Sequence, residues 1–548
     1  MIKVSNLAPD YYLSNFRFLV NWVIKRYEDL LSLEEKHFVE VFEQLPHHAQ
    51  CLFVRLSSRS GPFFRADKIH YQEIDNLQDA ANHLIHCGFI KIDVPLSIIE
   101  VAKLLNKVEL LNLFPPNQKS ERKCDLVNRL ASQHPATKTW QEWTKGQFSH
   151  IYYLNTQAIL KNFILLFFGN SYQDLTDFVL QDIGLLRYEN YPIDHQHRIF
   201  KNREELLHYQ QLLLLREKME AAPVLEELID LGNQLSFSVT SDALLRRKSR
   251  LCNHLACALE RHKHYDLALN LYQQSHLPPA RERQIRLLEK QGKYSEAWNM
   301  LEAIVQQPID EQELQVAERI FPRIAKKLSK VLTKKAPLSL AEKLLYLPKQ
   351  RNEEGLHLNV EEIVRIHLHS DREPCLYVEN QLLSGLFGLW LWPEMFRGLD
   401  GAFANPFQSA PLDMYEQSFM AKRPGITALF ELFADNSYRE HIRNIWQLKH
   451  GFSNHFVNWS FLDEYTINLA LESIPAQHLK LIFQRMLFDI KNNRSGLPDL
   501  MQFFPDEQTY RMFEVKGPGD RLQDNQRRWL EFFSNNNIPA EVVYVSWQ

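Results

Sequence analysis

Glycine is scarce in this chain, 17 of 548 residues, and cysteine scarcer still, at six. Few glycines argue against a fold made of many tight turns. Apolar residues recur at helical spacing up to about residue 475, as in FRFLVNWVIKRYEDLL and LEELIDLGNQL, and predict a mostly α-helical chain. The cysteines, at 51, 87, 124, 252, 257 and 375, show neither a CxxC nor a paired Cys/His spacing. That excludes a disulfide framework and a zinc finger as organising principles and predicts reduced thiols. Nowhere do about 18 apolar residues run together, and MIKVSNLAPDYYL lacks a basic start followed by an apolar stretch. No membrane partner and no leader are expected, which places the chain inside the cell: cytoplasm or nucleoid in a bacterium, nucleus in a eukaryote. Net charge is −4, so there is no global basic signature, and any nucleic-acid contact must rest on local patches.

One such patch is CLFVRLSSRSGPFFRADKIHY, which sets Arg55, Arg59, Arg65 and Lys68 among Phe63, Phe64 and Tyr71. Bases interleaved with aromatics suit a phosphate backbone and exposed nucleobases. A solvated helix end before a turn at Gly61-Pro62 accounts for the same residues. Downstream, PLSIIEVAKLLNKVELLNLF followed by PPNQKSERKCDLVNRL reads as helix, basic loop, helix. This order resembles a SAP-type DNA-binding module and equally a plain helical hairpin. ALERHKHYDLALNLY (258–272) then repeats as LLEKQGKYSEAWNML (287–301), at an offset of 29 residues, pairing Tyr265 with Tyr294 and Ala268 with Ala297. Helix, turn, helix with a small residue at the crossing resembles a degenerate tetratricopeptide pair, a spacer or a surface for a protein partner. Proline-containing joints fall at 115–120, 334–339 and 346–355. The expected organisation is an N-terminal helical DNA-binding region over 1–150 with the SAP-like module near 95–132. A helical linker region comes next over 151–245, then repeats over 246–345 and a C-terminal unit over 346–548.

The last stretch, of about 75 residues, turns to short β-rich runs: PDLMQFF, TYRMFEVK and EVVYVSW. Alternate residues of a strand share a face, so Glu514 and Lys516 point one way and Val515 the other, into the core. Asp499, after Leu497-Pro498, reaches the Glu514 face if its strand pairs with TYRMFEVK. Two adjacent carboxylates repel unless a cation joins them, and a hard divalent ion with oxygen ligands meets that need. An ion held by Asp499, Glu514 and the Val515 carbonyl suits phosphodiester hydrolysis, with Lys516 orienting the water or steadying phosphate charge. An exposed strand end with a surface salt bridge is the alternative for E-x-K alone. The residues after Lys516 add context: GPGDRLQDNQRRWLEFF supplies a glycine turn and a helix with Gln526 and Arg527 in its first turns, and the chain returns as a strand.

A helix ending near Asn492, two or three strands, a helix and a strand resemble the core of the PD-(D/E)XK nucleases. LPDL with EVKGPGDRLQDNQRRWL resembles the VRR-type module. Segments in order along the chain, among them YYLSNFRFLVNWVIKRY, LTDFVLQDIGLLRYENY, VENQLLSGLFGLWLWPEMF and FQSAPLDMYEQSFMAKRP, are similar to the Fanconi-associated nuclease family. The resemblance implies helical N-terminal and middle regions joined to a C-terminal α/β nuclease fold. It implies a structure-selective nuclease for 5′ flaps and branched DNA, with 5′-to-3′ exonuclease action, dependence on one or two Mg²⁺ or Mn²⁺ ions, and a place in interstrand-crosslink repair. It adds Glu379, ahead of NQLLSGLFGLWLW, to the acidic cluster, and it implies DNA contacts at Lys491, Arg494, Lys422, Arg423 and Gln526. Eukaryotic members carry an N-terminal ubiquitin-binding zinc finger. With no Cys/His cluster before the YYL segment, a bacterial-type member without ubiquitin recruitment is expected. A non-catalytic scaffold and a dimeric junction resolvase are the rival functions.

Overall fold

The computed structural model describes residues 8–59, 61–115, 121–173, 187–221, 224–332 and 340–548. The expected joint over 334–339, all but the first residue of the one over 115–120, and the segment LTDFVLQDIGLL lie outside the described residues. The chain divides into two compact units: Met1–Arg187 with Asp194–Arg198, and Tyr188–Ile193 with Ile199–Gln548.

The first unit opens with helices α1 (Tyr11–Tyr27), α2 (Leu33–Gln44), α3 (His47–Ser57) and α4 (Leu77–His86). Ser32 caps α2 in a reciprocal box with Glu35, and Asn76 caps α4. Such caps satisfy amide groups that no helical carbonyl reaches. The apolar faces meet in an aromatic cluster in which Phe16 and Phe42 pack edge to face, 5.0 Å between centroids, and Phe38 stacks on Phe89 at 4.9 Å. Next come α5 (Ile98–Leu104), α6 (Lys107–Leu113), α7 (Lys123–Gln133) and α8 (Trp140–Thr144), around a core of Leu96, Val101, Leu110, Leu126 and Trp140. The first helix expected of the SAP-like module is thus two helices. Asn106 starts the second: its side chain accepts from the Glu109 amide, and Glu109 accepts from the Asn106 amide, both at 2.8 Å. After it, α9 (Gln157–Phe168) ends on Gly169, at φ 68°.

Strands are not confined to the C-terminus. β1 (Phe63–Arg65), β2 (Ile90–Ile92) and β3 (Ile151–Leu154) form a small antiparallel sheet of order β1-β3-β2 in the first unit.

The second unit begins with α10 (Arg203–Glu220) and α11 (Leu225–Gln234), then the repeats α12 (Asp242–Arg261), α13 (Tyr265–Gln273), α14 (Ala280–Lys290) and α15 (Tyr294–Gln306), closed by α16 (Glu311–Lys327). Ala268 and Ala297 are fully buried where the helices approach. Tyr265 and Tyr294 occupy equivalent places, each beneath an ammonium group, Lys290 at 5.0 Å and Lys327 at 5.8 Å.

A five-stranded sheet of order β4-β8-β7-β6-β5 carries the rest. Its strands are β4 (Glu342–Leu347), β5 (Cys375–Tyr377), β6 (Leu500–Phe504), β7 (Thr509–Lys516) and β8 (Ala540–Trp547). β4 runs parallel to β8 from Glu342 opposite Val542. The expected domain boundary at residue 346 therefore falls inside a strand of the sheet. Helices α17 (Val360–Leu368), α18 (Leu382–Met395), α19 (Gly425–Glu431), α20 (Tyr438–Lys449), α21 (Glu464–Ser473), α22 (Ala476–Phe488), α23 (Ile490–Asn493) and α24 (Asp524–Asn535) complete the unit.

α18 is apolar on every side, and every residue from Leu382 to Trp392 is buried. It packs closely because it has no side chain at Gly385 or Gly388: a Cβ at Gly388 would lie 2.7 Å from the Phe456 Cβ, and one at Gly385 would run into Leu462. Among the described residues no helix is long and apolar enough to cross a membrane.

Candidate active site

β6 and β7 are antiparallel, with Leu500 opposite Phe513. One step further along that register places Asp499 opposite Glu514. Leu500, Phe513 and Val515 pack on one side of the sheet, while Met501, Phe503, Tyr510 and Met512 pack on the other. Alternation then sets Asp499, Glu514 and Lys516 on the second side, at the end of the strand pair, where apolar packing gives way to charge. Val515 faces inward as expected.

The acids are held individually. The Val515 amide donates to Asp499 Oδ2 at 2.8 Å, and Lys516 Nζ donates to Glu514 Oε1 at 2.7 Å. Asp499 through its own carbonyl accepts from the Val378 amide at 2.8 Å, which brings the end of β5 alongside. Glu379 comes immediately after. The Tyr377 hydroxyl donates to its Oε2 and the Asn380 amide group to its Oε1 at 3.2 Å. Asn380 adopts a left-handed conformation, φ 52°, which asparagine tolerates better than most residues, and its Oδ1 accepts from the Leu497 amide at 3.3 Å. One residue thus ties the Glu379 turn to the segment that leads into Asp499. Gly496, at φ 85°, lets the start of α24 approach, since a Cβ there would lie 2.8 Å from Asn525 Nδ2.

Burial and mutual repulsion both act on the cluster's charge. Asp499 and Glu514 are 6% and 0% exposed, and both carboxyls are pushed above the usual range, by burial first. Mutual proximity adds to this: Asp499 raises Glu514, and Glu379 raises both. Glu514 Oε2 is buried with no hydrogen-bond partner among the described residues. An orphaned carboxylate oxygen beside two further acids is costly in the bare protein and is satisfied by a hard divalent ion. The donor set, oxygen throughout, fits Mg²⁺ or Mn²⁺.

Comparison with known proteins decides the family. Residues 434–547 match the VRR-NUC domain, residues 10–91 the FAN1 HTH domain and residues 95–143 the Fanconi anemia-associated nuclease SAP domain. The chain is 37% identical to the Fanconi-associated nuclease 1 homolog of Pseudomonas aeruginosa, over 98% of this chain and 96% of that protein. This chain belongs to the Fanconi-associated nuclease family. Human Fanconi-associated nuclease 1 is 24% identical over 98% of this chain and 62% of its own length. The crystal structure of paFAN1 bound to 2-nt 5′ flap DNA with a gap matches with a TM-score of 0.90, 36% identity and 99% coverage of both chains. As a member of this nuclease family the chain is a DNA-cleaving hydrolase that depends on a divalent metal. The VRR-NUC match starts at 434, so Glu379, β4 and β5 lie outside that segment.

The other expected site residues separate in this Fanconi-associated nuclease. Arg65 is buried and serves the fold: it pairs with Asp67, bonds Glu109 at 2.8 Å and lies 4.7 Å over the Phe148 ring. Buried on these partners, its guanidinium is not placed to meet a phosphate, contrary to the expectation from its neighbours in sequence. The same holds for Arg423, which is 0% exposed: two guanidinium nitrogens reach Asp413 at 2.8 and 2.9 Å, and Nε donates to the Glu394 carbonyl. Arg55 is half-buried, held by Glu73 at 2.7 Å and stacked 3.9 Å over Tyr12. Lys422 pairs with Asp242 and Glu416, both at 3.1 Å. Gln526 caps its own helix, accepting from the Gln523 amide at 2.9 Å. Arg59, Lys68, Lys491 and Arg494 are exposed. Arg494 donates to His455 Nε2 at 2.7 Å and lies over Tyr415, 5.7 Å from its centroid. Burial and the Arg494 charge hold His455 below the usual imidazole range.

Sequence reasoning missed Glu361 in the first turn of α17, whose charge raises Asp499, and Tyr377, which positions Glu379. The signal for Glu361 was weak: acids in the first turn of a helix are common, and here Glu361 and Glu362 stand together.

Proposed function

We propose that this protein is a structure-selective DNA nuclease that cuts 5′ flaps and branched DNA, acts as a 5′-to-3′ exonuclease and serves interstrand-crosslink repair. The single observation that carries the site assignment is the orphaned, buried Glu514 Oε2 opposite Asp499. Glu379, Asp499, Glu514 and the Val515 carbonyl would hold one or two Mg²⁺ or Mn²⁺ ions. Bound there, a divalent ion supplies Lewis-acid polarisation of the phosphodiester and a more acidic water. The chain's own groups do the rest. Tyr377 and Asn380 fix the Glu379 carboxylate, and the Val515 amide fixes Asp499, so the acids are preorganised. Lys516, held by Glu514, stands where its ammonium group orients the attacking water or offsets charge growing on the phosphate. Lys491 and Arg494, exposed just before the Asp499 strand, are placed to grip a backbone phosphate near the cut. The relative paFAN1 was crystallised with 2-nt and 1-nt 5′ flap DNA, which supports the substrate class.

The test is a panel of end-labelled DNAs, namely 5′ flap, 3′ flap, intact duplex and four-way junction, incubated with Mg²⁺ or Mn²⁺. The proposal expects cutting near the junction of the 5′ flap and little on intact duplex. Equal cutting of every substrate, or paired symmetric nicks in the four-way junction, overturns it.

A further inference from the structure

The first compact unit holds a second convergence of ligand-type side chains, on helices the nuclease chemistry does not use. His48 lies in the first turn of α3; Asp79 and His83 stand one turn apart on α4. One ligand atom from each lies within 4.8 Å of both others. Both histidines turn the same nitrogen to the same oxygen: His48 Nε2 is 2.9 Å and His83 Nε2 3.7 Å from Asp79 Oδ2. The imidazoles do not stack. They meet edge to face, 5.8 Å between centroids and 72° between planes, so the two nitrogens share one focus.

The frame behind them is buried. Ala80, Ala81 and Leu84 of α4, with Gln50, Cys51 and Leu52 of α3, are at most 1% exposed. The three ligand side chains are themselves 33%, 49% and 44% exposed, so an ion reaches them from solvent without opening the fold.

We propose that His48, Asp79 and His83 bind one divalent transition ion of the Zn²⁺ class, clamping α3 to α4. Two imidazoles and one carboxylate are a nitrogen-rich set that favours Zn²⁺, Ni²⁺ or Co²⁺ over Mg²⁺. The nuclease centre, with oxygen donors only, discriminates less between Zn²⁺ and Mg²⁺, so a large excess of Mg²⁺ occupies it and the two sites are separable by competition. Three protein ligands leave a fourth position for water. The site escaped the sequence because 31 residues separate His48 from Asp79, and only the packing of α3 on α4 joins them.

The experiment uses the full-length, tag-free protein, stripped with EDTA and titrated calorimetrically with Zn²⁺ in a large excess of Mg²⁺. One Zn²⁺ should bind despite the Mg²⁺. A His48→Asn, His83→Asn double variant should bind it roughly a hundredfold more weakly or not at all, with Mg²⁺-supported nuclease activity unchanged. In the unaltered protein, Zn²⁺ should slow modification of His48 and His83 by diethyl pyrocarbonate, read by peptide mass spectrometry. Zn²⁺ binding of equal strength in the double variant overturns the proposal. So does modification of both histidines at the same rate with and without Zn²⁺, which reduces the cluster to two surface ion pairs.

Discussion

Replacing Glu514 with glutamine removes a charge and almost no volume. In the metal-free protein it should stabilise the fold while abolishing cleavage. Burial, then repulsion from Asp499, push the Glu514 carboxyl from 4.5 up to about 8. Between those pH values the folded protein keeps a proton that the unfolded chain has released. Folding stability therefore falls as pH rises through the interval and is lowest above it. At about 1.4 kcal/mol per pH unit, the interval amounts to roughly 4–5 kcal/mol. Removing the Glu514 charge relieves its burial cost and its repulsion of Asp499 together, so the variant should gain stability on the order of a few kcal/mol, a rise in Tm of about several degrees. The assay is thermal unfolding of both proteins in EDTA from pH 5 to pH 9. The two should melt nearly together at pH 5, with the variant above wild type at pH 9. Saturating Mn²⁺ should then raise wild type and leave the variant near its EDTA value. A variant less stable than wild type at pH 9 in EDTA, or a difference indifferent to pH, refutes the reasoning.

Three more outcomes are expected. Asp499→Ala and Lys516→Ala should each lower single-turnover cleavage by roughly a hundredfold or more while flap affinity, read by fluorescence anisotropy, stays within a few-fold; a variant cutting at the wild-type rate removes that residue from the site. Arg423→Ala should lower stability by roughly 3–5 kcal/mol, because it strands the buried Asp413, whereas Arg59→Ala should leave denaturation unchanged and flatten the salt dependence of DNA binding; chemical denaturation and binding at several salt concentrations decide between these roles. Gly388→Ala should cost roughly 1–3 kcal/mol by forcing α18 away from Phe456, and an unchanged denaturation midpoint would show that the helix has slack there.

The C-terminal strands were legible because period-two alternation in TYRMFEVK by itself sorts Glu514 and Lys516 from Val515. The N-terminal sheet was not, since β1 and β2 are three residues long, too short to show a period, and their partner β3 lies far along the chain. β4 hides for another reason. It is an edge strand with Leu344 and Tyr346 exposed, and its parallel partner, β8, ends the chain. Glu379 carries no local mark, and it came from family resemblance; its place depends on the Asn380 turn and on Val378 bonding to Asp499. Arg65 shows the limit of reading charge beside aromatics. The same pattern serves a phosphate outside or, as here, a ring and two carboxylates inside.

The most direct measurement is single-turnover cleavage of an end-labelled 5′-flap duplex by wild type and Glu514→Gln. Enzyme is held at concentrations that saturate the DNA in both cases, with Mn²⁺ and with EDTA. Rapid cutting near the junction by wild type in Mn²⁺, lost in EDTA and lost in the fully DNA-bound variant, is the result that an acid-held metal centre at Glu514 requires. Cutting by the variant at the wild-type rate, or by wild type in EDTA, contradicts it.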